Sequence, residues 1–330
     1  MTPRWLLVPY LVPCIAILLA AGSSRAPADD YPARGATIIV PFTPAGSTDI
    51  LARMCAQVLE QRLGKAFVVE NRPGAGQQIG VNAVVKAAPD GYTLLMATSS
   101  AMGVNPTLYK KLAYDPVKDL TPIAMVAHLP FILLVNPALP VNNVAELIAY
   151  AKANPGKLSY GSGGVGASHH LYGELFNSLA GVKMTHVPYK GTAPALNDLV
   201  AGHIQVLFSD SPPALPQVKA GKARALGVTT AKRIAVAPDI APINDSLKGF
   251  DTAPWQMLMA PHGTPAPVID KLHHEIVAYI ATADGQRKLT DQGLVPGAPT
   301  RPAELAKFVE SEVKAWGQIV TQAGAAGTVD

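Results

Sequence analysis

The most constraining feature of this chain is an alternation of two hydrophobic periods near its start. Thr37–Pro41 is a short β-branched apolar run. Beyond a turn of small residues, Ile50, Leu51, Met54, Val58 and Leu59 recur at helical spacing. Phe67–Val69 reads as a second strand, residues 77–88 as a helix, and Tyr92–Ala97 as a third strand after the Asp90-Gly91 turn. The order β-α-β-α-β demands crossover connections, and so predicts a mainly parallel sheet flanked by helices.

A second series begins after Pro130. Phe131–Val135, Leu158–Tyr160, Thr185–Pro188, Ile204–Phe208 and Ala225–Val228 read as strands. Residues 144–153, 168–180, 192–201 and 215–220 read as the helices between them. A Pro-rich stretch at 237–243 precedes Trp255–Ala260, then a long helix Pro267–Ala283 and a last helix from Pro302 to about Gly324. At 330 residues the chain exceeds one ordinary core. With 49% hydrophobic and 15% charged residues it has material for two. The final third carries no sheet pattern of its own and is expected to return to the first lobe. The expected division is 1–28 leader, 29–127 with 230–330 as lobe 1, and 128–229 as lobe 2, with hinge crossings near 124–130 and 228–240.

Residues 1–28 read as a cleavable signal peptide, with Arg4, the apolar run Trp5–Ala21 and the small-residue site Ala26-Pro27-Ala28. The mature chain is then expected outside the cytoplasm, in the periplasm. Loss of Arg4 and Arg25 with the leader lowers the basic count from 27 to 25 against 23 acids. So small and scattered an excess argues against a nucleic-acid partner. Only Cys55 remains after the leader, within an apolar helical pattern, so no intrachain disulfide is expected.

Two segments join a strand to a helix through small residues. The first is Phe42-Thr43-Pro44-Ala45-Gly46-Ser47-Thr48-Asp49. The second is Gly161-Ser162-Gly163-Gly164-Val165-Gly166-Ala167-Ser168-His169. Glycines admit a close approach, and a helix start offers free N–H groups to an anion. Phe42, Ala45, Gly46, Ser47, Ser162, Gly163, Gly164, Ser168 and His169 are therefore candidate ligand-binding residues. Thr48 or Asp49 is the expected helix cap. Other strand ends add Thr98 and Ser99, Tyr189 and Thr192, and Asp210, since ligands of open α/β sheets sit beyond the carboxyl ends of strands. Asp210 either reads a donor on the ligand or caps the turn that follows it.

Competing chemistries fit less well. Gly161-x-Gly163-x-x-Gly166 matches a dinucleotide fingerprint, but residues 181–187 lack the acid that would hold a ribose. A purely structural turn remains open there. His169-His170 and His273-His274 are adjacent pairs, without the spacing of metal ligands on one helix face. Neither a metal nor a cofactor is expected. Ser162 with His169 is a conceivable nucleophile and base of an exported hydrolase, but no Gly-x-Ser-x-Gly turn is present.

Further landmarks fall in order along the chain: Glu70-Asn71-Arg72-Pro73-Gly74-Ala75-Gly76, Pro89-Asp90-Gly91-Tyr92, Tyr160-Gly161-Ser162, Val187-Pro188-Tyr189-Lys190-Gly191, and Ala260-Pro261-His262-Gly263-Thr264-Pro265. With them the chain resembles the Bug family, the periplasmic solute receptors of tripartite tricarboxylate transporters. The resemblance implies a two-lobed Venus-flytrap fold of the type II periplasmic-binding-protein kind. It also implies a grip on a ligand carboxylate by the loops after Phe42 and Tyr160, partly through water. The implied partners are a small carboxylate (a di- or tricarboxylate, an acidic amino acid or an aromatic acid) and the membrane components of a transporter, or else a membrane sensor. A non-enzymatic monomer is expected. Two departures stand out: Ala45 where the family has glycine, and Gln77-Gln78 where it has Gly-Asn. Both are expected to reshape the pocket floor.

Overall fold

A computed structural model describes residues 31–250, 254–322 and 325–330. The expected leader, residues 1–28, lies outside the described residues.

The elements of the first sheet and its helices open the chain: β1 (Ala36–Val40), α1 (Ser47–Leu63), β2 (Phe67–Asn71), α2 (Gln78–Val85), β3 (Thr93–Thr98), α3 (Asn105–Leu108) and β4 (Leu120–His128). The chain then crosses to the second sheet: β5 (Phe131–Val135), α4 (Val144–Ala153), β6 (Ser159–Ser162), α5 (Ser168–Ala180), β7 (Thr185–Pro188), α6 (Thr192–Ala201), β8 (Val206–Asp210), α7 (Ser211–Lys219) and β9 (Arg224–Val228). It returns through β10 (Trp255–Pro261), α8 (Ala266–Ile280), α9 (Ala283–Thr290), β11 (Val295–Pro296) and α10 (Pro302–Gln322).

The six-stranded sheet has the order β11-β4-β10-β3-β1-β2, and the five-stranded sheet the order β7-β6-β8-β5-β9. The expected two-lobed α/β architecture is present, with mixed sheets. Strands joined by crossover helices, β1–β2, β1–β3, β6–β7 and β6–β8, pair in parallel. Strands that arrive from or leave for the other sheet pair antiparallel: β10 with β3 and β4, β5 with β8 and β9. Such strands have no helix crossing over their own sheet to impose a parallel direction.

β4 went unread in the sequence because Pro122 interrupts it. Proline cannot donate to a ladder and is confined to edges and irregularities. Here Pro122 faces Met259 at a register shift between Leu258 and Met259. The helix expected over 267–283 is α8, which ends at Ile280, and a second helix not read in the sequence, α9, follows it. Thr282 has extended ψ and its side chain accepts the Gly285 N–H at 3.0 Å, which starts α9 afresh.

The two chain crossings run side by side. Leu129 N–H donates to Pro254 O at 2.6 Å, and Thr229 N–H to Phe131 O at 2.9 Å. Buried side chains are continuous from Ile38 and Leu51 in the first lobe to Leu133 and Phe208 in the second. Phe131, Tyr172, Phe176, Phe208 and Phe250 form an aromatic layer behind the second lobe's half of the cleft. Cys55 lies within the core, where burial pushes its thiol up to about 12. Among the described residues no helix is long and apolar enough to cross a membrane.

Candidate functional site

The carboxyl ends of β1, β3, β6 and β8 meet at the junction of the lobes. The turn after β1 is built by side chains. Asn71 Nδ2 donates to Phe42 O and to Asp49 Oδ1, each at 3.0 Å. Asp49 Oδ2 accepts the Ala45 N–H at 3.0 Å, and Arg53 grips the same carboxylate through two bonds of 2.9 and 3.0 Å. Burial pushes the Asp49 carboxyl up, but the bonds from Arg53, Ala45 and Asn71 outweigh it and hold it below the usual carboxylate range.

The expected caps are not formed. The N-cap of α1 is Gly46, with no side-chain bond to the first turn. Asp49 reaches back to the loop, and Thr48 Oγ1 accepts from Gln256 Nε2 at 2.8 Å. At α5 the N-cap is Ala167, again without a side-chain cap. Both helix starts therefore present backbone N–H groups and the positive end of the helix dipole to the junction.

The first N–H of each helix is taken by the opposite lobe. Ser47 N–H donates to Asp210 Oδ2 at 3.0 Å, and Ser47 Oγ bonds the same oxygen. Ser168 N–H donates to Ser100 Oγ at 2.9 Å. Thr43 N–H donates to Lys190 O at 3.1 Å across the same junction. The other oxygen of Asp210 accepts from Thr192 Oγ1 at 2.8 Å and lies 3.3 Å from His169 Nε2. Burial pushes the Asp210 carboxyl up, yet its partners His169, Thr192 and Ser47 more than offset this and hold it below the ordinary value. Asp210 is thus the N-cap residue of α7 without capping it; its carboxylate ties the lobes together instead.

Between these groups lies a cavity of about 30 Å³, lined from both lobes. A single water needs roughly 10–15 Å³ of such space, so admitting an organic acid requires the lobes to part. Nine of the residues singled out in the sequence line it: Phe42, Gly46, Ser47, Thr98, Ser99, Ser168, His169, Thr192 and Asp210. No Lys or Arg does.

The other five stand elsewhere. Ala45 is exposed, at φ 69°, so its methyl does not reach the pocket floor; the departure from glycine strains the backbone instead. Ser162 Oγ pairs with His186 Nε2 at 2.6 Å and with the Gly164 backbone, so Ser162 shapes its own loop. A Cβ on Gly163 would sit between the His169 and Phe42 rings, which line the cavity in its place. Gly164, at φ 128°, packs against the Tyr189 carbonyl, and the Tyr189 hydroxyl donates to Asp198 at 2.6 Å. The hydrolase pairing of Ser162 with His169 is not made: each has a different partner.

Sequence reasoning missed Gln256 and Trp255 as lining residues, along with Leu129, Phe131 and Pro254. They come from the crossing segments, and only the alternation in β10, which sends Gln256 toward Thr48, signals them. Gln77, the second departure, takes φ 79° and accepts the Thr98 hydroxyl at 2.5 Å, so it supports a lining residue from behind.

Two α/β lobes joined by two crossings, with uncapped helix starts facing each other over a closed cavity, define a two-lobed solute-binding protein. The chain belongs to the family described as tripartite tricarboxylate transporter family receptor, whose profile matches residues 51–325. It is 36% identical over 319 residues to protein BugT of Bordetella pertussis, covering 96% of this chain and 98% of that protein. Among solved structures, an R. palustris protein with adipate is 38% identical and superposes with a TM-score of 0.87 over 90% of this chain and 99% of the other. MatC from Rhodopseudomonas palustris with bound malate is 33% identical, with a TM-score of 0.84 over 88% and 100% of the two chains.

Proposed function

We propose that this chain is a periplasmic receptor that captures a small carboxylate by lobe closure and delivers it, as a monomer, to membrane components of a transporter. Lobe 1 is then 29–127 with the return from Trp255 onward, and lobe 2 is 128–250, because Val228 bridges Pro242 and Phe250 stacks on Phe208, which moves the boundary expected at 230. The observation that carries this reading is the pair of uncapped helix starts, Ser47 and Ser168, converging from opposite lobes on one cavity. Their N–H groups and hydroxyls suit a carboxylate, and bonds of this kind hold an anion without the strong pairing that would slow release. When the lobes part, Ser47, Ser168 and Ser100 lose their partners across the junction, and a ligand carboxylate with bridging water takes them over. The adipate and malate held by the two solved relatives support the ligand class.

Binding rather than catalysis is favoured by the pairing of the polar groups. Ser162 has His186 and its own loop; His169 has Thr192 and Asp210. A thermal-shift screen of mono-, di- and aromatic carboxylates tests the proposal. A ligand at 100 times its Kd adds about 2.7 kcal/mol to the folded state, so the matching acid raises Tm by several degrees. A flat response to every acid would remove the proposal.

A further inference from the structure

Resting on that reading, we infer that the receptor selects a carboxylate whose far end donates a hydrogen bond, an ammonium or a hydroxyl, over a ligand with a second carboxylate there. The lining polarity carries the inference. Among the described residues Asp210 is its one carboxylate, and no Lys or Arg there balances it. Thr192 and His169 hold Asp210 Oδ1 from its own lobe, whereas Oδ2 is held only by Ser47 across the junction and is left to accept from a ligand once Ser47 turns to the first carboxylate.

Two further lining residues carry polar atoms with no partner. Gln256 spends its Nε2 on Thr48 Oγ1, which orients the amide and leaves Oε1 bare and buried. Thr192 gives its hydroxyl hydrogen to Asp210, so its oxygen accepts from His169 Nε2 at 2.8 Å. That network assigns a proton to Nε2, and the other ring nitrogen, Nδ1, is buried without a partner. Both residues are more than nine-tenths buried. Buried acceptors without donors are costly, and a ligand that supplies the donor recovers the loss. A second carboxylate offers only acceptors and adds a negative charge beside Asp210. The helix starts of α1 and α5 take the first carboxylate; the Asp210–His169–Gln256 wall reads what lies beyond it.

Calorimetric titration with two matched series tests this. The four-carbon series is butyrate, 4-hydroxybutyrate, 4-aminobutyrate and succinate. The aromatic series is benzoate, 4-hydroxybenzoate, 4-(aminomethyl)benzoate and terephthalate. In at least one series a donor-bearing member should bind about tenfold or more tighter than both its unsubstituted parent and the dicarboxylate. Asp210→Asn, checked for an unchanged circular dichroism spectrum, should shrink the penalty on the dicarboxylate by about tenfold. The wild-type comparison stands even where that variant folds poorly. If the dicarboxylate binds best in either series, or no donor-bearing member binds while other acids do, the inference is overturned and the carboxylate reading survives. If no acid of either series or of the broader screen binds, the carboxylate reading falls with it.

Discussion

Ala45 holds a left-handed backbone, φ 69°, that an L-residue with a Cβ adopts at a cost of about 1–2 kcal/mol. The bond from its N–H to Asp49 and the grip of Asn71 on Phe42 hold it there. Replacing Ala45 with glycine removes the strain and keeps the N–H. It also loosens the unfolded chain, which costs about 0.4–1 kcal/mol. The balance is a gain of about 0.5–1 kcal/mol, or about 1 °C in Tm for a chain of this size. Because Ala45 is exposed and away from the cavity lining, ligand affinity should stay within about twofold. Differential scanning calorimetry measures the first quantity and titration the second. Ala149→Gly, at an exposed position inside α4, is the control and should lose about 1 kcal/mol. A fall in Tm for Ala45→Gly as large as the control's would refute the strain argument.

Two further outcomes follow from the packing behind the Gly161–Gly166 loop. A side chain at Gly173 would enter the Tyr160 ring, so Gly173→Ala should cost about 1–3 kcal/mol in a denaturant melt and weaken ligand binding through the loop that follows Tyr160. The His186 ring stacks on His170 and Tyr160, and burial, with the His170 charge next, pushes it down to about 3. His170 is lowered too, by burial, against the opposing charge of Glu174. Between the ordinary value near 6.5 and about 3, the unfolded chain binds a proton that folded His186 refuses, so stability falls as pH drops through that window. Because the ring is only partly buried, solvent screening holds the loss to about 1 kcal/mol at pH 5. Tm measured from pH 7.5 to 4.5 should show the decline, and His186→Gln should flatten it.

Most of the βα units were legible because each needs only a local pattern: a β-branched run, a small-residue turn, apolar residues at helical spacing. The 185–188 strand and the 192–201 helix match their expected bounds. β4 was illegible for an equally local reason, Pro122, whose missing N–H is harmless only because of how β10 lies beside it. The helix from Pro267 was legible but overran by three residues, and α9 was missed, because the cap role of Thr282 depends on the turn its backbone takes.

By itself, the sequence determined that two strand-turn-helix segments would offer helix starts through turns of small residues. These depend on neighbours along the chain. Only the tertiary structure decided what faces those helix starts. Ser47 and Asp210 stand 163 residues apart, and no periodicity links them. Gln256 enters from a strand that returns to the first sheet after the whole second lobe has been built. Their meeting depends on how the two sheets close over the crossings, and burial at that junction turns ordinary side chains into a charged wall with unpartnered polar atoms.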